Sequence, residues 1–138
     1  MDGTEREKEI IKELVISEED VVERLRTLVS KAKEFIYIED KTGRVIFKSI
    51  HDISNSEKIL LHLIGRFFAE KIGFIENSKL SMRQISDNLG IPITTISAPL
   101  GNLIREGKIE KSNDGLYKIR FHEIENVLDD LLKKYTSG

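Results

Sequence analysis

The run from Ser81 to Gly107 constrains the fold more than any other part of this 138-residue chain. Its first element opens on Ser81-x-x-Gln84. In that pattern the serine hydroxyl takes a free helix amide and the glutamine reaches back to the cap, so a helix starts there. Ile85 and Leu89 lie four apart, on one side, and Gly90 is a natural stop. Ile91-Pro92 makes a turn. Thr94 or Thr95 is expected to cap a second helix, held to the core by Ile96, Leu100, Leu103 and Ile104 and ended by Gly107. Pro99 then falls within about its first turn, where a missing N–H is tolerated or mildly costly. Two short strands follow, Lys108–Lys111 and Leu116–Ile119, around the turn Asn113-Asp-Gly115.

Upstream, Ile59, Leu60, Leu63, Ile64, Phe67, Phe68 and Ile72 recur at helical spacing, so a buried helix is expected from Glu57 to about Ile72, ending at Gly73. Phe74–Lys79 reads as a loop. Residues 54–121 are thus expected to form one domain. Before it, Thr4–Leu14 favours a helix with Ile10, Ile11 and Leu14 on one side. Ser17 caps another whose first turn holds Glu18, Glu19 and Asp20, suited to the positive end of the helix dipole. Val21, Val22, Leu25, Leu28, Val29 and Ala32 mark one apolar face to about Lys33. Phe35–Ile38 and Val45–Phe47 then read as a β-hairpin turning through Glu39–Arg44, with Gly43 at a positive φ. Ser49–Asn55 is a polar connector, so residues 1–53 form an extension. Both halves run helix, helix, hairpin, which leaves a tandem pair of such domains open beside the helix-hairpin extension.

The whole-chain charge of −2 announces no polyanion partner. By segment it is uneven: Lys79–Arg120 holds seven cations against four anions, a net +3 that leaves −5 for the rest. A basic patch on an acidic body fits a DNA-facing module. There is no cysteine, which excludes disulfides, zinc–thiolate sites and thiol catalysis. His51, His62 and His122 lack metal-ligand spacing, and His62 reads as a half-buried helix residue. No Gly-rich phosphate loop or nucleophile motif is present, so neither enzyme activity nor a cofactor is expected. Met1 opens onto a charged segment and no apolar run approaches the ~20 residues that span a bilayer. The expected setting is therefore cytoplasmic, with no membrane partner. The Lys/Glu-rich, Cys-free composition resembles that of hyperthermophile proteins.

Residues 56–120 resemble winged helix-turn-helix transcription regulators of the broad MarR/ArsR-like type, especially archaeal ones. The resemblance is carried by Leu80-Ser-Met-Arg-Gln-Ile-Ser-Asp-Asn-Leu-Gly-Ile-Pro92 and by Thr95-Ile-Ser, Leu100 and Leu103-Ile-Arg-Glu-Gly-Lys-Ile109. It implies a mainly α fold with a small β component (α+β), a winged helix-turn-helix domain preceded by a helix-hairpin extension. It also implies a partner, double-stranded DNA, met by the third helix of the domain. Thr94, Thr95 and Ser97 at the front of that helix can hold phosphate and base edges. Asn102 can pair with adenine, and Arg105 lies a turn further on. Arg83 starts the preceding helix, which crosses the backbone, and Lys108, Lys111, Lys118 and Arg120 place cations along the wing. The helix departs from the family in Ala98-Pro99 and Gly101-Asn102, where Arg, His or Lys is usual. That weakens base readout and leaves a second reading, a winged helix that docks a protein partner through Ala98 and Gly101.

Residues 122–138 are expected to form a separate amphipathic helix. Its stripe Ile124, Leu128, Leu131 and Tyr135 has the three-four spacing of a coiled-coil seam, which makes it the first candidate for a homodimer element. Packing on its own domain is the alternative, and the helix from Glu18 to Lys33 is the second dimer candidate.

Overall fold

The computed structural model describes residues 3–48 and 52–136. His51 and the start of the polar connector lie outside them. Helix α1 (Gly3–Ile11) runs into a single 3-10 turn at Lys12–Leu14 and buries no residue. Helix α2 (Glu18–Ala32) follows, its first turn capped by the Ser17 hydroxyl, which accepts from the Asp20 amide. Strands β1 (Ile36–Ile38) and β2 (Val45–Phe47) pair antiparallel, Ile36 opposite Phe47. Then come α3 (Asn55–Ile72), α4 (Met82–Leu89), α5 (Ile93–Arg105), the wing strands β3 (Ile109–Lys111) and β4 (Tyr117–Ile119), and α6 (Ile124–Tyr135) after a 3-10 turn at Phe121–Glu123. The architecture is mainly α with two small antiparallel hairpins, as expected.

The helix boundaries follow from local chemistry. Both α3 and α4 carry full capping boxes. Ser54 and Glu57 exchange bonds at the start of α3, Ser81 and Gln84 at the start of α4. The Ser54-x-x-Glu57 box starts α3 two residues earlier than its apolar stripe alone suggests. Gly73 and Gly90 end these helices in the left-handed conformation, φ +92° and +67°. Leu80 exchanges two backbone bonds with Tyr117 (3.0 and 2.7 Å), adding a third strand-like edge to the wing just before α4.

One core holds all of this together, and it does not respect the boundaries at 53 and 121. Ile59, Leu61, Leu63 and Ile64 of α3 are fully buried, as are Ile85 of α4, Ile96 and Leu100 of α5, Ile109 of β3, and Ile124 and Leu128 of α6. Leu28, Ala32, Phe35, Ile36 and Val45 of the extension join the same cluster. The hairpin sits on α3 so closely that a Cβ on Gly65 would lie 2.5 Å from Val45 Cγ2. The extension is therefore part of the core layer, and among the described residues it holds two helices and a hairpin and no third helix.

The stripe of α6 is also internal. Ile124, Leu128 and Leu131 are at most 3 % exposed, and the Tyr135 hydroxyl donates to Glu57 of α3 at 2.6 Å. Lys31 of α2 bridges Glu125 and Asp129 of α6 at 3.1 and 2.8 Å. These four residues are thus corrected from a dimer seam to a core face. Their spacing is that of any amphipathic helix, and α2 and α3 supply the partner surface within the same chain.

Candidate nucleic-acid interface

The placement of α5 begins in α4. The hydroxyl of buried Ser86 donates to the Ile91 carbonyl, and the Ile91 amide donates to the Ser86 carbonyl at 3.1 Å. These two bonds, with Gly90 in the left-handed region, fix the turn between α4 and α5. Ile91, Ile96, Leu100 and Leu103 then bury the inner side of α5. At 100° per residue, Thr94, Ala98, Asn102 and Arg105 fall on the opposite, solvent-facing side, and all four are exposed. Thr95 and Gly101 lie at its edges, and Ser97 is exposed on the flank.

The cap of α5 differs from expectation. The helix starts two or three residues earlier, with Pro92 at the cap position and no side chain bonding the first turn. Thr94 and Thr95 are therefore inside the first turn, where their hydroxyls are not engaged as caps. Proline at the cap lacks a side-chain acceptor, so the helix start offers its amide ends and two hydroxyls to an external anion. Pro99 lies correspondingly deeper, in the second turn, where it removes the amide that would bond the Thr95 carbonyl.

Arg105 does not point freely outward. Its guanidinium folds back along α5, donates to the Asn102 carboxamide oxygen and lies over Gly101, whose hypothetical Cβ would sit 3.6 Å from Arg105 Nη1. Asn102 and Arg105, assigned separate tasks by their sequence positions, therefore form one unit. Arg83 stands exposed in the first turn of α4.

The wing cations are more scattered than their sequence order suggests. Glu110 faces Lys118 across the strands and Lys111 faces Tyr117, so Lys118 and Lys111 project from opposite faces of the hairpin. Lys111 Nζ lies 5.6 Å from the centre of the Tyr117 ring. Lys118 pairs with Glu110 at 3.2 Å and Lys108 with Glu106 at 3.0 Å. Lys118 and exposed Arg120 line a cleft of about 680 Å³ against α3, beside Lys71 and His122. The four wing cations thus divide between two surfaces. Strand register sets that division, and Glu106 and Glu110, which the pattern of cations gave no reason to single out, occupy two of the lysines. The wing turn is held by Ser112, whose hydroxyl donates to Asp114; that bond, with Lys79 nearby, holds the Asp114 carboxyl below its ordinary range.

His62 is buried, not half-buried. Its Nε2 lies 3.2 Å from the Asn88 carboxamide nitrogen, joining α3 to α4, while Nδ1 has no partner among the described residues. Burial, with Arg66 adding repulsion, pushes its pKa down to about 4, so the ring is neutral at pH 7. It is a structural joint behind the interface. Among the described residues no group of three or more His, Asp or Glu could hold a metal ion, and no helix is long and apolar enough to cross a membrane.

No curated protein and no solved structure matches the chain. Residues 74–110, from the loop after α3 through α4 and α5 into β3, match the model of the winged helix-turn-helix DNA-binding family, so this segment is similar to the winged helices of DNA-binding proteins.

Proposed function

We propose that the chain is a transcription regulator that holds duplex DNA with the outer face of α5, and that backbone grip outweighs base reading. The observation that carries this reading is the free, solvent-facing side of α5. Thr94 and Thr95 stand at a helix start that no side chain caps, and Arg105 lies one face-length further on. Hydroxyls and amide ends suit phosphate, whereas Ala98 at the centre of the face offers a base edge only a methyl group. Arg83 and Lys111 extend the cationic surface on either side, and Lys108 reaches it by exchanging Glu106 for phosphate. Such an exchange costs little, since exposed ion pairs are worth well under about 1 kcal/mol. Lys118 and Arg120 belong to the cleft against α3 and contribute less. On this reading the protein is a MarR/ArsR-like regulator of archaeal type, working in the cytoplasm.

The reading is tested by fluorescence anisotropy on a labelled random duplex. Arg83→Ala and Arg105→Ala are expected to weaken binding several-fold each, Lys118→Ala less than two-fold on a ~0.3 kcal/mol scale. Equal effects of Lys118 and Arg105 would contradict the proposed surface. A second reading has one observation in its favour: Ala98 and Gly101 leave α5 flat enough for a partner helix to pack closely. It requires Ala98→Arg to abolish partner binding without touching DNA affinity.

A further inference from the structure

Among the described residues, nine of the fourteen exposed large apolar side chains lie between Ile10 and Val29. Leu28 and Ala32 of α2 face the core, and Lys31 is tied to α6. Along the rest of that apolar face Val21, Val22, Leu25 and Val29 are left 39–55 % exposed. A contiguous apolar face of this kind marks an interaction surface. It runs into a groove of about 590 Å³ between α2, β1 and the end of α3, where Leu25 and Val29 meet Ile36, Phe68 and Phe74. The segment Ile10–Ile16, with Leu14 82 % exposed, is equally uncovered.

We propose that this face is a homodimer interface in which two α2 helices pair antiparallel about a two-fold axis near Leu25, each copy's Ile10–Ile16 segment seating in the other's groove. The charge order of α2 selects a second copy as the occupant. Residues 17–23 carry four carboxylates and no cation, while residues 24–33 carry four cations and no carboxylate. A parallel pair would set like charges together. An antiparallel pair sets Glu18 of one copy beside Lys33 of the other, about 22 Å from the equivalent contact at the far end. Within such a pair Val22 meets Val29, and Leu25 lies at the axis. The same arrangement carries each copy's α1, which precedes the acidic end of α2, to the basic end of the other α2. That is where the groove opens, with Lys33 and Lys71 at its rim. Glu7 and Glu13 of the arriving segment bring carboxylates to those lysines, while its Glu5 and Glu9 pair with its own Lys8 and Lys12. A two-fold interface must be self-complementary, and this surface supplies both the groove and its filling.

The inference does not depend on DNA binding, and the experiment is read without DNA. The full chain is examined by sedimentation equilibrium at micromolar concentrations, with far-UV circular dichroism to confirm that each variant is folded. The wild type is expected to dimerise. Leu25→Glu, at an exposed position, is expected to raise the dimer Kd about 100-fold or more, with Val22→Asp as a second variant of the same face. Glu18→Lys and Lys33→Glu are each expected to weaken the dimer about ten-fold. The double variant Glu18→Lys/Lys33→Glu is expected to recover it, because each interface regains two opposite-charge pairs. A wild type that stays monomeric, including one that instead binds vesicles of anionic phospholipid, overturns the proposal. So does a dimer indifferent to Leu25→Glu, or a double variant no tighter than the single ones.

Discussion

At Glu57 the cap of α3 and the end of α6 meet in one carboxylate. It closes the Ser54 capping box, accepts the Tyr135 hydroxyl at 2.6 Å and pairs with Lys134 at 3.1 Å. Burial works against its charge, but the bonds from Tyr135, Ser54 and Lys134 outweigh that, and the carboxyl is held below its ordinary range. Tyr135→Phe removes a bond to a charged group and is expected to lower stability in urea unfolding at pH 7. An unchanged unfolding midpoint would show that α6 is held by its apolar stripe alone. His62 makes the complementary case of a group that resists charge. Above pH 6.5 its ring is neutral folded and unfolded. Below that, the unfolded chain takes up a proton that the folded chain refuses until pH reaches about 4. Stability should therefore fall by about 3 kcal/mol between pH 6.5 and 4, then level off. Unfolding measured across that range in the wild type and in His62→Gln isolates the effect. An identical pH dependence in both would contradict it. The sequence placed His62 among apolar residues, but nothing in one strand of letters could show Asn88 reaching it from α4.

The elements were legible where signals are local and obscure where they are tertiary. The Ser81–Gln84 box, Gly73, Gly90 and the Asn113-Asp-Gly115 turn act within a few residues, so they read directly. The start of α5 did not, because two threonines imitate a cap while Pro92 takes the position. The face of α6 was visible as a stripe, yet a stripe does not say which surface covers it. The packing of the hairpin was likewise invisible, since its close approach to α3 runs over one glycine, Gly65. Gly65 and Gly101 both sit inside helices, and their surroundings predict opposite responses. Gly65→Ala drives a Cβ to 2.5 Å from Val45 Cγ2, and is expected to destabilise by about 1–3 kcal/mol despite the better helix propensity. In a Val45→Ala background the same change should become neutral or stabilising. Gly101→Ala meets only Arg105 Nη1 at ordinary contact distance, and should stabilise by up to about 1 kcal/mol. Thermal unfolding of the four variants checks both signs. Additive effects of Gly65→Ala and Val45→Ala would deny the contact.

At the scale of the whole molecule, one core joins the extension, the winged-helix segment and α6, and among the described residues it leaves two faces uncovered. One is the apolar side of α1 and α2; the other is the polar outer side of α5. The basic segment spanning Lys79–Arg120 was legible from composition, but its division was not. Strand register sends Lys111 and Lys118 to opposite faces, and Glu106 and Glu110 occupy two of the lysines. The set proposed to face DNA is consequently smaller than the number of cations in the segment. The most direct test is the binding of two unrelated duplexes of equal length at several salt concentrations. A grip by three to five phosphate contacts predicts that log K falls against log salt with a slope of about −3 to −5, alike for both duplexes, with affinities within about ten-fold of each other. No salt-sensitive binding at low ionic strength would contradict the account, and so would a preference of a thousand-fold or more for one duplex.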